Sequence, residues 1–393
     1  MKNSMIGKRM IFLLLGLCFV TLFTGCKHDS AGPLPDQPPT SKLQWVNNYY
    51  HVDDLNERGL KGKGVRVAIV TFDTFTVSDI QRFSDKFGLP KPKVNVIPLF
   101  GGAIHQGVAS NGHVESTLDI DIVHAVAPDA ELDVYTVPPP VPFSVVLEQI
   151  LNEGHAQIVT ISWGRAPNLA EDKRAYDVIE AMNKQGMTVF ASTGDTGTRA
   201  DNTTLMAPSY LPNVVAVGGT VVTIDQAQTT VTERNWPLSV SGWSSDYQSP
   251  NYQAEAASSM KLRAESQQHR MLPDIVGPSI VTEAGSITAD RDGIPIYVTD
   301  PKTGTGAWIP AIGTSVAAPY MAGIFANIAG GLHNGLGDIH ERLYKQMNKP
   351  AYNKVDASDK TGSFEGGEAY SMAAGLGSVN AYEMAAAFGL SMK

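Results

Sequence analysis

The chain of 393 residues carries 30 basic and 39 acidic side chains, a formal charge of −9, with 43 % hydrophobic and 18 % charged residues. These proportions exclude a disordered polyelectrolyte and supply a sizeable core, while the acidic excess excludes a general nucleic-acid binder, which needs cations along a face to neutralise phosphates. Thirty-seven glycines show no collagen-like triplet period, and two cysteines are too few for a disulfide framework or a four-cysteine zinc site.

Lys2, Lys8 and Arg9 precede an apolar run from Met10 to Phe23, short for a membrane span and of the length of a signal-peptide core. The run ends Leu22-Phe23-Thr24-Gly25-Cys26, which resembles a bacterial lipobox. Residues 1–25 are therefore expected to be removed, and Cys26 to become a lipidated N-terminus that tethers the chain to a membrane. Cleavage would take three basic residues and no acidic one, moving the charge from −9 to −12. Cys18 would leave with the signal, so no disulfide is expected despite export. Residues 26–42 hold Pro33, Pro35, Pro38 and Pro39 among small polar residues and read as a semi-extended tether. The expected location is the periplasmic face or the cell surface.

From residue 43 onward strand and helix signals alternate. Val65 to Val70 is a β-branched run, and Val77 to Phe87 has helical spacing of Ile80, Phe83 and Phe87. Strand-like segments follow at Leu132 to Val137, Gln157 to Ser162, Met187 to Ala191 and Val214 to Val217, interleaved with helix-like Phe143 to Leu151 and Leu169 to Gln185. This alternation predicts one α/β domain over residues 43–393, a mostly parallel sheet with helices on both faces and ligands at the strand C-termini. Asp225 to Pro310 reads as irregular, with loops and a β-hairpin that shape a substrate cleft. Helices are expected again at Thr314 to Ala329, Asp338 to Met347 and Val379 to Phe388.

Four strings could carry chemistry. Gly313-Thr314-Ser315-Val316-Ala317-Ala318-Pro319 places a serine where backbone N–H groups and the positive end of a helix dipole favour an oxyanion, although a plain N-cap gives the same tripeptide. Glu115 and Asp119 stand one turn apart on a helix running to Ala127-Pro128; two close carboxylates push one pKa upward, but a solvated acidic face has the same spacing. Ser162-Trp163-Gly164 closes one strand, and Gly194-Asp195-Thr196-Gly197 is a glycine-flanked turn after another.

In this order the strings resemble the sedolisin family of serine-carboxyl peptidases, which keep a three-layer subtilisin-like fold, and the likeness runs over roughly residues 45–393. The resemblance implies that Ser315 is the nucleophile, Glu115 the general base, Asp119 its partner through a shared proton, and Asp195 a protonated oxyanion donor. Trp163 and Gly164 are placed against the substrate. It also implies a peptide or protein substrate, hydrolysis fastest in acid, and no cofactor for the chemistry. An ordinary subtilase triad of Asp73, His113 and Ser315 is the rival reading. Against it, the first strand does not end in Asp-Thr-Gly and no Gly-Thr precedes His113. A catalytically silent peptide-binding lipoprotein is the third. Ser371 stands where the family's calcium carboxylate is expected, which leaves Asp356 and Asp359 as weak candidates for a structural calcium site. A long folding propeptide, usual in the family, has no counterpart between the signal and residue 59. The chain is expected to be a monomer.

Overall fold

The computed structural model describes residues 41–104, 111–197, 205–225, 230–260, 268–283, 287, 291–357 and 369–392. The signal segment, Cys26 and most of the expected tether lie outside the described residues, as does Asp359. Two short helices, α1 (Ser41–Tyr49) and α2 (Val52–Glu57), lead into β1 (Arg66–Thr71), α3 (Val77–Phe87), β2 (Lys93–Pro98), α4 (Gly112–Val126) and β3 (Glu131–Thr136). Next come α5 (Phe143–Glu153), β4 (Ile158–Ile161), α6 (Leu169–Lys184), β5 (Thr188–Ser192), β6 (Val215–Ile224), β7 (Val231–Asn235) and β8 (Gly242–Gln248). The remainder is α7 (Ala254–Ser259), β9 (His269–Leu272), β10 (Ile275–Thr282), β11 (Ile294–Thr299), β12 (Gly306–Ala311), α8 (Thr314–Leu332), α9 (His340–Tyr344), β13 (Tyr352–Asn353), β14 (Ser378–Val379) and α10 (Ala381–Ala387).

Among the described residues the main sheet runs β13-β14-β10-β6-β5-β4-β1-β3-β2, with β7 added against β6. Every pairing from β14 to β2 is parallel, and only the β13–β14 and β6–β7 pairs are antiparallel. β1 shows why both faces must be covered. Its Val67 and Ile69 enter one core with α4 and α8, while Ala68 and Val70 enter a second core with Phe143, Val146, Leu147 and Ile150 of α5 and Ala175, Ile179 and Met182 of α6. A strand buried on both sides reads as a continuous apolar run, as this one does. Enclosure also explains α8. It is long and apolar enough to cross a membrane by composition, yet residues 314–329 are all buried against the sheet and α4.

The three-layer α/β architecture matches the expectation, and α3 has the expected bounds. Three elements differ. Helix α1 starts two residues before the expected domain, and its Leu43 and Val46 insert into the first core. The edge strand β2, Lys-Val-Asn-Val-Ile-Pro, shows no buried residue and so gave no apolar pattern to read. The largest correction concerns Asp225 to Pro310. Rather than loops with one hairpin, the segment supplies β7 to β10 besides the β11–β12 hairpin, and β10 is a central strand buried along its whole length. Gly277 and Pro278 disguise it. The register shifts between Pro278 and Ile280, and a bulge is where a sheet tolerates a residue without an N–H.

A buried ion network fixes the entry to β10. Arg270 donates to both oxygens of Asp274 at 2.7 and 2.6 Å, Tyr344 Oη donates to Oδ1 at 2.8 Å, and the Ala216 amide donates to Oδ2 at 2.8 Å. His340 Nε2 lies 3.5 Å from Asp274 and its Nδ1 lies 2.6 Å from Asp338.

Candidate active site

β1 has β3 on one side and β4 on the other, so chain order reverses there and a crevice opens at the strand C-termini. Asp73 and Thr74 follow β1, Ser162 to Gly164 follow β4, and Gly194 and Asp195 follow β5. The first turns of α4 and α8 bring Glu115 and Ser315 to the same crevice. The fold therefore brings together Ser315, Glu115, Asp119 and Asp195, which are 76 to 200 residues apart in the chain apart from the α4 pair.

Asp119 is buried one turn behind Glu115, which keeps a partly exposed edge. Ser315 and Ser162 both favour the ionised form of Glu115. Ser162 Oγ lies 2.5 Å from Asp119 Oδ1 and 3.4 Å from the Ser315 carbonyl oxygen. Burial is the main force raising the pKa of Glu115; the Asp195 charge adds to it, and hydrogen bonds from Ser315 and Ser162 oppose it. Burial and then the Glu115 charge raise Asp119 as well. Such a pair favours holding one proton between two carboxyl groups.

Asp195 is held by Thr314, whose N–H and Oγ–H donate to Oδ1 at 2.9 and 2.6 Å, while the Gly194 amide donates to Thr314 Oγ1 at 3.1 Å. With Oδ1 engaged twice as an acceptor, a proton on this group belongs on Oδ2. Burial raises the Asp195 pKa against the pull of both Thr314 bonds. Gly313 stands against Oδ2 with φ 123°, and a Cβ there would come within 2.6 Å of that oxygen. Only glycine fits the strained backbone and the close approach. Ser315, 5 % exposed, follows at the second residue of α8, where its N–H is among those with no intrahelical acceptor.

The rival triad is arranged differently. Asp73 Oδ1 accepts from the Thr74 amide at 2.7 Å, and its Oδ2 presses on Gly112. His113 directs Nδ1 to Thr74 Oγ1 at 3.2 Å and Nε2 to Thr76 Oγ1 at 3.5 Å, while Ser315 favours the ionised form of Glu115 on the same helix. Trp163 packs edge-on to Phe72 at 5.6 Å between ring centroids, and Gly164 is pressed by Met206, whose Cε would lie 2.6 Å from an added Cβ.

Of the calcium candidates only Asp356 lies among the described residues. Asp356 is used through its backbone, donating to the Glu233 carbonyl and accepting from the Asn235 amide, and Ser371 Oγ accepts from the Ala374 amide. Among the described residues no three His, Cys, Asp or Glu side chains cluster as metal ligands. Two site residues carried no role in the sequence: Thr314 and Ser162. Their positions inside the Gly-Thr-Ser and Ser-Trp-Gly strings are the only signal that pointed to them.

A mostly parallel sheet with a serine at a buried helix N-terminus, facing carboxylates at the strand ends, defines a subtilisin-like protein. The model of the subtilase family matches residues 102–347, and the chain belongs to this family. It is 26 % identical to kumamolisin from Bacillus sp. (strain MN-32) over 348 residues, 81 % of this chain and 59 % of that protein. Tripeptidyl-peptidase sed5 of Aspergillus fumigatus is 27 % identical over 266 residues, 58 % of this chain and 42 % of the relative. The chain thus spans about half the length of the curated relatives it matches. Pseudomonas sedolisin, a serine-carboxyl proteinase solved with two molecules of pseudo-iodotyrostatin, shares the fold with a TM-score of 0.67 at 18 % identity, covering 88 % of this chain and 96 % of that one. A lanthipeptide protease shares it with a TM-score of 0.54 at 15 % identity, covering 88 % and 95 %.

Proposed function

We propose that the chain hydrolyses peptide bonds as a serine-carboxyl peptidase. The observation that carries this reading is that Ser315 favours ionisation of Glu115, while the His113 ring nitrogens face Thr74 and Thr76. Ser315 Oγ attacks the scissile carbonyl carbon and its proton passes to Glu115. The oxyanion takes hydrogen bonds from the Ser315 N–H and from the Oδ2–H of Asp195. Glu115 then returns the proton to the leaving amine, and water repeats the sequence on the acyl-enzyme. Asp119 holds the one proton of the pair, which lets Glu115 ionise beside it.

The pH dependence follows from these roles. Asp195 works protonated, so activity falls as pH rises through its elevated pKa. Glu115 works ionised, so activity falls as pH drops through the titration of the Glu115–Asp119 pair. Hydrolysis is faster in acid than at neutrality and above. No cofactor enters the chemistry. The lipobox-like string further supports export and a lipid anchor on Cys26; incorporation of labelled fatty acid into the wild-type chain and not into Cys26→Ala tests that part.

Peptide cleavage followed from pH 3 to pH 8 with Ser315→Ala, Glu115→Ala and His113→Ala tests the site. The first two substitutions should abolish turnover and the third should spare it. The opposite ranking of Glu115 and His113 would return the Asp73/His113/Ser315 triad, and hydrolysis unchanged in Ser315→Ala would mean a silent binding protein.

A further inference from the structure

We infer that Thr314 is a positioning residue of the proposed reaction: its hydroxyl fixes which oxygen of Asp195 carries the proton that meets the oxyanion. The inference rests on the serine-carboxyl reading and deepens it. Three hydrogen bonds close a chain between the end of β5 and the start of α8. The Gly194 amide donates to Thr314 Oγ1 at 3.1 Å, Thr314 Oγ1 donates to Asp195 Oδ1 at 2.6 Å, and the Thr314 amide donates to the same oxygen at 2.9 Å. Gly313 precedes α8 and has no side chain to cap it, so Asp195 caps the helix from a neighbouring turn. The opposite oxygen, Oδ2, lies against Gly313, at the one residue of the turn that can come so close.

A hydroxyl has one hydrogen to give and two lone pairs to accept with. Thr314 Oγ1 already accepts from Gly194, and it meets Asp195 as a donor. Oδ1 then faces two hydrogens, and a third placed on that oxygen would point at both. The neutral carboxyl is thereby held with its hydrogen on Oδ2. Without the hydroxyl only the Thr314 amide would hold Oδ1, and the proton would be shared between the two oxygens. The same bond has a second effect, because a donor favours the charged form of its acceptor. Both Thr314 bonds therefore favour ionised Asp195, while burial acts in the opposite sense and prevails. Thr314 aims the proton and also lowers the pH at which it leaves.

The charged surroundings of Asp195 are sparse among the described residues. Glu115, on the first turn of α4, and Asp195 bear on one another through space. β5 and α8 contribute no charged side chain. Pro237 to Val240, tied by backbone bonds to Gly194 and Gly197, contribute none either, nor does Met206 beside Gly194. A change at Thr314 leaves all of these in place, so a shift in the titration of Asp195 reports the lost hydroxyl.

The test uses the full chain with Thr314→Val, which removes the hydroxyl and nearly keeps the shape, Thr314→Ser, which keeps the hydroxyl, and Ser315→Ala. It measures kcat, KM and their pH profiles, with the thermal midpoint as a folding control. Thr314→Val should lower kcat and kcat/KM together by about tenfold, a part of the ~10²–10³ that one oxyanion donor supplies, with KM little changed. Its alkaline limb should move to higher pH, because ionised Asp195 loses a donor, and Thr314→Ser should restore both. In an Asp195→Ala background the same change should alter kcat by less than about twofold, because the group that Thr314 positions is gone. A wild-type kcat and alkaline limb in Thr314→Val would overturn the inference. So would a loss that recurs undiminished beside Asp195→Ala, or one that accompanies a lowered thermal midpoint with the limb unmoved. Each of these counts against Thr314 alone. If Ser315→Ala cleaves as fast as wild type, the peptidase reading itself has failed, and the inference falls with it.

Discussion

Asp195 offers the sharpest test of the site, because two substitutions there separate its shape from its proton. Thr314 donates twice to Oδ1, so the oxyanion can be met only by the opposite oxygen, which lies against Gly313. Asp195→Ala removes that donor and leaves the Ser315 N–H alone. Loss of one such donor costs about 10²–10³ in kcat, about 2.7–4 kcal/mol of transition-state stabilisation. Asp195→Asn acts differently. Its amide oxygen accepts from Thr314 as Oδ1 did, and its NH₂ group supplies a hydrogen where the Oδ2–H stood. Such a variant should keep kcat within about tenfold of wild type, about 1.4 kcal/mol. Since an amide does not titrate, the alkaline limb that Asp195 imposes should vanish, and activity should extend to higher pH. Steady-state cleavage of a chromogenic peptide across pH 3–9 reads both effects. If Asp195→Ala cleaves like wild type, or Asp195→Asn is as crippled as Ala while its alkaline limb persists, the oxyanion role assigned to this carboxyl is wrong.

Stability should itself favour acid. Burial is the leading cause that raises Glu115, Asp119, Asp121, Asp195 and Glu233 above their unfolded values. A raised group contributes fully below its unfolded pKa, near 4 for these, and loses that contribution as pH climbs through the folded pKa. His340 acts in the same sense. Burial opposes its charge, but Asp274 and Asp338 overcome this and raise it to about 9, so its contribution fades between about 6.5 and 9. The thermal midpoint should therefore be higher at pH 5 than at pH 8.5, and a midpoint that rises with pH would contradict the burial of these groups. At the entry to β10, burial pushes Asp274 upward, yet Arg270 and then His340 hold it well below the ordinary carboxylate range. Asp274→Ala leaves a fully buried arginine without its counter-charge and should cost about 3–5 kcal/mol, read from urea unfolding.

Local physics made part of this protein legible. The β-branched run of β1 and the helical spacing of α3 and α6 come from side-chain period, which any short window displays. β10 escaped because Gly277 and Pro278 interrupt its apolar run, and only the neighbouring strands β6 and β14 make burial of that segment necessary. β2 escaped for the opposite reason: at the sheet edge only Val94 and Ile97 are partly buried, three residues apart, and leave no strand alternation.

The same division runs through the site. By itself the sequence determined the α/β class, the Gly-Thr-Ser string that opens α8, and the one-turn spacing of Glu115 and Asp119, because each depends on residues within a few positions of one another. The tertiary structure alone decided that the His113 ring faces Thr74 and Thr76, that Thr314 claims one oxygen of Asp195, and that Ser162 stands against Asp119 and the Ser315 carbonyl. Those contacts join the ends of β4 and β5 to the first turns of α4 and α8. A distance between strand ends is set by the order of strands in the sheet, and no local pattern records it.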